Sequence, residues 1–405
     1  MDNKEPQGII ELDDINIKCL IFQVNDNNDA EILSTSIKPS DGIHNDIIVN
    51  LEKASNVIRS CISEAEKKAK ISLKKIFLVL EQPDFLCTSF SKKKKIDGSQ
   101  IYKDDIDFLL KEAKKQLLLN DINQSIIHIF NHNYVVDGKT FIEEPIGVFA
   151  DSLTHEMSFI TTSKNNVKNI NKVLNNCEIE VERLISRTFA LGAQLFSDNE
   201  LQNGTTLVNL GYEKTSIGLF KNLALIHSST LPFGINHITK DISKVCSLSL
   251  NESNNIRNTI DFSFQNNHNI FDENNFLKKS YFINSSYRKI SKELILRVTK
   301  SRIEEIFEKI NQQFIVPKFN ISACANLLLV SEESKLINIE QNYENYFQIS
   351  VKKINNNAED IKKTFLPCLG AVKIIKDGWE TEAIPKIKNN YDKKTSFFGK
   401  IFGKW

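Results

Sequence analysis

The chain has no C-x-x-C pair. Its seven cysteines, at positions 19, 61, 87, 177, 246, 324 and 368, are scattered and odd in number. That spacing argues against a zinc ribbon or a disulfide framework and fits reduced packing residues in a cytoplasmic protein. Net charge is also lacking: 52 basic against 51 acidic residues leave +1, so no global basic field exists for nucleic acid. No apolar run approaches the ~20 residues that a membrane-crossing helix needs, so any membrane contact is expected to be peripheral. The opening MDNKEPQG is polar and acidic, and no signal peptide is expected from it. Glycine is scarce, at 14 residues. Asn, Ile and Lys are abundant, as in AT-rich coding sequence, so lysine and asparagine numbers carry no functional meaning.

Enough apolar residues remain, 41% of 405 with 26 phenylalanines, to build cores in two or more domains. Ile9–Val24 reads as two strands joined at Asp13-Asp14. Val57, Ile58, Cys61 and Ala65 form a helical stripe, and Ile76–Leu80 is a buried-type strand. Between Pro83 and Met157 a separate segment carries a helix over Lys103–Leu119. Strands follow at Ile126–Phe130 and Tyr134–Val136, with a hairpin signal at Asp137-Gly138. Lys92–Lys95 in this segment reads as a solvated turn. His128 and His132 stand four apart in a strand-like run with no third ligand nearby, so they read as core or surface histidines rather than metal ligands. No Ser-His-Asp or Cys-His constellation can be defended.

Thr206–Leu210, Thr215–Phe220 and Leu223–Leu231 read as three strands, with a polar turn at Gly211–Lys214. Phe233-Gly234 breaks the sheet, and a helix starts at Ile235. Gln265–Asn275 is rich in Asn and reads as a mobile loop. Tyr287–Gln313 has a long helical pattern, Asn320–Val330 is an apolar strand and Ser331–Ser334 a turn. Asp377–Lys394 is polar, holds two prolines and reads as a linker. Beyond it TSFFGKIFGKW puts Phe397, Phe398, Ile401, Phe402 and Trp405 on one helical face, with Lys400 and Lys404 beside it. This is the pattern of an interfacial amphipathic helix for anionic lipid. Gly399 and Gly403 each lower helix propensity by about 1 kcal/mol, so the helix is expected to form on the membrane.

The run IIHIFNHNYVVDG…EEPIGVFA resembles the extra 1C subdomain of the FtsA family, the actin-like membrane anchors of bacterial cell division. PFGINHITKDI, the closing LGAV helix and the aromatic tail are similar to the same family. The resemblance implies an α/β, actin-like fold of two lobes around a cleft. Its subdomains fall at 1–82, 158–202 and 364–379 (1A), 83–157 (1C), 203–243 and 302–363 (2A) and 244–301 (2B), followed by a linker over 380–394 and the tail at 395–405. It also implies ATP with Mg2+ as cofactor, self-assembly head-to-tail, and attachment to the cytoplasmic face of the inner membrane at the division site. Implied partners are the tail peptide of FtsZ, the tubulin-like ring protein, and later division proteins. Arg288, Lys292 and Arg302 match positions that bind the FtsZ peptide.

The family's glycine loops are poorly kept. Glu11, Leu12, Asp13 and Asp14 stand at the first phosphate loop. Asn209, Leu210, Gly211, Tyr212, Glu213, Lys214 and Thr215 stand at the second. Val330, Ser331, Glu332, Glu333 and Ser334 stand at the adenosine loop. Glycines let backbone N–H groups point at phosphate oxygens without a side chain in the way. With most of them gone, ATP binding is expected to be weak or absent and the work of the protein to be binding rather than catalysis. An active actin-like ATPase and a sibling adaptor of pilus assembly are the competing readings.

Overall fold

The computed structural model describes residues 5–141, 143–314, 327–330, 336–352, 363–379 and 381–382. They group into two compact units. Of these described residues, unit 1 takes those within 5–205, 218–229 and 365–382, and unit 2 those within 206–217 and 230–364.

Unit 1 opens with β1 (Gln7–Glu11), β2 (Asn16–Val24) and β3 (Ala30–Pro39), then a small hairpin, β4 (Ile43–His44) and β5 (Ile47–Ile48). Helix α1 (Leu51–Ala69) starts on Asn50, whose side chain accepts from the Lys53 N–H, and ends on left-handed Lys70. Its buried face of Ala54, Ile58, Cys61, Ile62 and Ala65 packs on β2 and β3. Each of the two isoleucines contributes about 2 kcal/mol by leaving water. Next come β6 (Lys75–Leu80), β7 (Leu86–Gln100), α2 (Lys103–Asn120), β8 (Gln124–Val136), β9 (Lys139–Phe141) and β10 (Phe149–Ser163). Then follow α3 (Lys164–Asn176), β11 (Glu180–Ser186), α4 (Arg187–Leu195) and α5 (Asp198–Asn203).

The main sheet runs β11-β6-β1-β2-β3. Strands β1, β6 and β11 are parallel, with Glu11 opposite Val79 and Ser186 opposite Leu80. Their carboxyl ends therefore share one edge, where open α/β sheets place ligand-facing groups. A second sheet, β7-β10-β8-β9, is covered by α2. Ile106, Leu109, Leu110, Ala113 and Leu117 pack there on Tyr134, Leu153, Met157 and Phe159. The β8–β9 turn has both Asp137 and Gly138 at positive φ, the backbone of a two-residue hairpin.

Next come β12 (Thr205–Leu210), β13 (Thr215–Lys221) and β14 (Ala224–Leu231), followed in unit 2 by α6 (Ile235–Cys246), α7 (Leu250–Thr259), α8 (Lys292–Gln313), β15 (Leu327–Val330), α9 (Ile339–Phe347) and β16 (Val351–Lys352). The sheet order is β14-β13-β12-β15-β16, with β12, β15 and β16 parallel. The last helix among the described residues, α10 (Leu366–Asp377), returns to unit 1. Its Gly370 sits so close to α4 that a Cβ would lie 1.8 Å from the Ala190 carbonyl oxygen.

Four expectations change. Lys92–Lys95 is no turn; it lies within β7, with Lys92 opposite His155 and Lys95 opposite Ser152 on β10. Lysines on an edge strand keep other strands from adding to it, which explains a lysine run inside a sheet. Residues 265–275 are held rather than loose: Asn267 is buried and exchanges hydrogen bonds with Asp261, while Ile270 and Phe271 are also buried. The helix expected from Tyr287 begins at Lys292, capped by the Ser291 side chain. The start of the supposed linker is packed. Trp379, Thr381 and Glu382 are buried, and Trp379 Nε1 and Thr381 Oγ1 both donate to the Leu223 carbonyl, at 2.5 and 2.7 Å.

Candidate phosphate and partner sites

The edge made by β1, β6 and β11 carries a buried ionic cluster. β1 ends on Glu11, and Asp13 and Asp14 follow it. Asn45 and Asp46 form the two-residue loop between β4 and β5, both at positive φ, a conformation that Asn and Asp tolerate better than bulkier residues. That turn brings Asp46, fully buried, to the same place. Helix α4 begins there with Arg187. A cation in the first turn opposes the helix dipole, so it must be held by acids, and it is. Its Nε lies 3.2 Å from Glu11, Nη1 3.4 Å from Asp13 and Nη2 3.3 Å from Asp46. Nη2 also donates to the Leu12 carbonyl at 2.5 Å.

Around this core Lys18 pairs with Glu11 at 3.3 Å, both buried, and the Asn45 N–H donates to Asp14. Asp46 accepts the Glu81 N–H at 2.7 Å. Glu81 accepts from the Thr188 N–H and the Ser186 hydroxyl, yet burial pushes its carboxyl above the ordinary value. Carboxylate oxygens of Asp13, Asp14 and Asp46 lie within 4.8 Å of one another, a spacing compatible with a cation.

In unit 2 the turn after β12 keeps one glycine, Gly211, whose N–H donates to the Lys214 carbonyl at 2.9 Å. Thr215 Oγ1 donates to the Phe233 carbonyl at 2.6 Å, and Asn209 is buried. The opening N–H groups of α6 are spent on this turn: Ile235 donates to the Gly211 carbonyl and Asn236 to that of Tyr212. Only glycine fits at 234, because a Cβ there would meet the Tyr212 oxygen at 2.4 Å. Glu213 folds back along α6, accepting from Asn236 Nδ2 at 2.7 Å and Lys240 Nζ at 2.9 Å. Burial would raise its carboxyl, but the hydrogen bonds from Lys240 and Asn236 outweigh that and hold it below the ordinary range.

A triphosphate needs inward-facing N–H donors and a helix N-terminus with free amides. These residues present carboxylates already matched to an arginine and amides already donating to carbonyls. The donor set on each unit, taken by itself, does not fit the group. Ser331 and Ser334 lie outside the described residues, as do all the tail residues from Phe397 to Trp405.

The three cationic candidates for peptide binding sit on unit 2. Arg288 donates through Nη2 to the Cys246 and Ser247 carbonyls at the end of α6. Lys292 opens α8, its Nζ 5.9 Å from the Phe271 ring centre. Arg302 is engaged by neighbours: Nε and Nη2 reach Asp241 at 2.5 and 3.1 Å, and Nη1 reaches Glu305 at 2.5 Å. Around Arg288, Val245, Leu250, Ile283 and Tyr287 are exposed. Glu252 holds that surface in place. It is fully buried and accepts from the N–H groups of Ile283, Asn284 and Ser285 at 2.7–2.9 Å. Burial would raise its carboxyl, but hydrogen bonds from Ser285 and Ser249 outweigh it and hold the group well below the usual carboxylate range.

Arg187, Asp46 and Glu252 escaped the sequence reading. The two-residue Asn-Asp step between Ile-His and Ile-Ile, and an arginine opening an otherwise apolar helix, were the available signals.

The sheets, their order and their helices define an actin-like fold. Among solved structures, the PilM–PilN type IV pilus biogenesis complex matches with a TM-score of 0.60, at 10% identity, over 91% of this chain and 97% of that chain. MreB5 of Spiroplasma citri bound to ADP matches with 0.52, at 12% identity, over 93% and 98%. Such identities speak for the fold alone. The family comes from sequence. Residues 86–161 match the SHS2 domain inserted in FTSA, and residues 206–367 match cell division protein FtsA. Cell division protein FtsA of Buchnera aphidicola subsp. Schizaphis graminum is 24% identical over 310 residues, 76% of this chain and 72% of that protein. That of Agrobacterium fabrum is 21% identical over 312 residues, 77% and 70%. The chain belongs to the FtsA family.

Proposed function

We propose that this chain is a binding adaptor of the division machinery. It docks the acidic tail peptide of FtsZ on unit 2 and attaches to anionic lipid at the cytoplasmic face of the cell membrane through Phe397, Phe398, Lys400, Ile401, Phe402, Lys404 and Trp405. It assembles head-to-tail with its own copies and receives later division proteins. The match of both the inserted domain and residues 206–367 to the FtsA family carries this reading. The exposed apolar residues beside Arg288 support it, because an acidic peptide with apolar anchors needs that combination. Among the described residues no helix is long and apolar enough to cross a membrane, and the aromatic and lysine pattern of the tail supports interfacial attachment there. One such tail binds weakly, and assembly raises avidity without new contacts.

ATP turnover is weak or absent on this reading, since the loop residues Glu11 and Asp13 are committed to Arg187 and Glu213 brings a carboxylate to the second loop. Fluorescence anisotropy with a labelled FtsZ tail peptide tests the docking. Binding that Lys292→Glu weakens about tenfold agrees with it, and no binding by the intact chain sinks it.

A further inference from the structure

We propose that the Arg187 guanidinium is the resident counter-ion of the carboxylate cluster at the edge of β1, β6 and β11. Two of its acids, Asp13 and Asp46, also belong with Asp14 to the trio whose spacing suits a divalent cation, and the guanidinium takes the place such an ion would hold between those two. The inference extends the reading that nucleotide binding is weak, but it stands on its own geometry.

Three carboxylates, on Glu11, Asp13 and Asp46, lie within 3.2–3.4 Å of this one guanidinium. Arg187 and Glu11 are almost wholly enclosed, and Asp13 and Asp46 are buried too. Carboxylates cannot stay ionised so close together away from water without a cation between them. Two of these acids, Asp13 and Asp46, meet Asp14 at a spacing that a metal ion could bridge. A hard divalent ion would bind such oxygens. Here a planar guanidinium with five donors reaches several of them at once, and Lys18 takes the far side of Glu11. The arginine comes from the first turn of α4, where the dipole disfavours it. Its position is therefore explained by the acids and not by the helix. An Arg at this point also ties β1, the β4–β5 turn and α4 together, so the cluster can hold its shape with no bound ion.

The test uses the full chain and two probes, Mn2+ read by electron paramagnetic resonance and thermal melting with and without millimolar Mg2+. The intact protein is expected to bind no Mn2+ at ~100 μM, well above the affinity of a multi-carboxylate site, and to melt at the same temperature with and without Mg2+. Arg187→Met is expected to melt about 10 °C lower, as for a broken buried ion pair in a chain of this size. It should bind Mn2+ and recover most of the loss when Mg2+ is added. Mn2+ uptake by the intact protein would overturn the proposal, and so would an R187M protein that neither binds Mn2+ nor responds to Mg2+. If R187M does not fold with or without the metal, the variant R187M/D13N/D46N decides. Restored folding shows that unbalanced carboxylates were the defect, and continued failure assigns Arg187 to packing and overturns the counter-ion role. A separate titration of the intact protein with ATP lacking divalent ions tests the nucleotide reading. Tight binding there would end that reading without touching the Mn2+ result.

Discussion

His128 and Glu382, 254 residues apart in the chain, hydrogen-bond to each other through Nδ1 and Oε1 with both side chains fully buried. The Ser186 N–H donates to Nε2 of the same imidazole at 2.9 Å, so Nε2 carries no proton and Nδ1–H is the donor. The ring is therefore neutral, and Arg183, 2.6 Å from Oε1, supplies the charge that Glu382 needs. With Trp379 and Thr381 on the Leu223 carbonyl, the pair fixes the chain just ahead of residues 383–405.

Replacing Glu382 with Ala strands Arg183 and His128 in the interior. A destabilisation of about 3 kcal/mol is expected for a broken buried pair, read as a drop in the urea midpoint at unchanged slope. An unchanged midpoint would show that the segment after α10 adds nothing to unit 1.

Acid should weaken unit 1 from about pH 6.5 downward, through its buried histidines. Burial lowers the pKa of His128 and lowers that of His155, beside Asn131, to about 3. Both are neutral when folded and take a proton more readily when unfolded, so their contribution is complete above the ordinary value near 6.5. It is lost as pH falls below 6.5, continuing for His155 to about 3. Between pH 6.5 and 5 His155 alone accounts for about 2 kcal/mol. Denaturant unfolding across that interval should show the loss, and His155→Leu should remove most of this part. A flat profile contradicts it.

Gly370→Ala pushes a methyl into the backbone of α4, at Ala190. Backbone cannot rotate aside as a side chain can, so a loss of about 2–3 kcal/mol is expected, measured by thermal unfolding. Tolerance of the alanine would mean that α10 is not seated as described.

Arg302 calls for a charge swap. Asp241→Arg with Arg302→Asp keeps the contact between α6 and α8 while moving the guanidinium. If Arg302 meets the FtsZ peptide, the swap binds it about tenfold more weakly. If Arg302 only holds the two helices together, R302D alone weakens binding and the swap restores it. The anisotropy assay above separates these outcomes.

Much of the fold could be read locally. The Asp137-Gly138 turn, the α2 stripe and the strand at Ile76–Leu80 each follow from patterns within a few residues, and each is present in the structure. Of the acids at the end of β1, Glu11 and Asp13 stand out in the sequence only as phosphate-loop positions by family resemblance. Their partner was not legible, because Arg187 lies some 175 residues further on and nothing in RTFALGAQL says which acids it meets. Residues 379–382 were misread for the same reason. Trp-Glu-Thr-Glu has no periodic apolar face, and Trp379, Thr381 and Glu382 are held by His128, Arg183 and Leu223, all distant in sequence. Lys92–Lys95 failed differently. Composition said solvated, which the alternating exposure of an edge strand also satisfies, so charge alone could not tell strand from turn.

The most direct measurement is co-flotation of a fluorescent FtsZ tail peptide with liposomes containing anionic lipid. It is run without nucleotide, in the presence of the full chain or of a chain ending at Asp392. The expected result is peptide at the top of the gradient with the full chain and at the bottom with the shortened one. Peptide that stays at the bottom with both, or that floats equally with both, would contradict the tethering role.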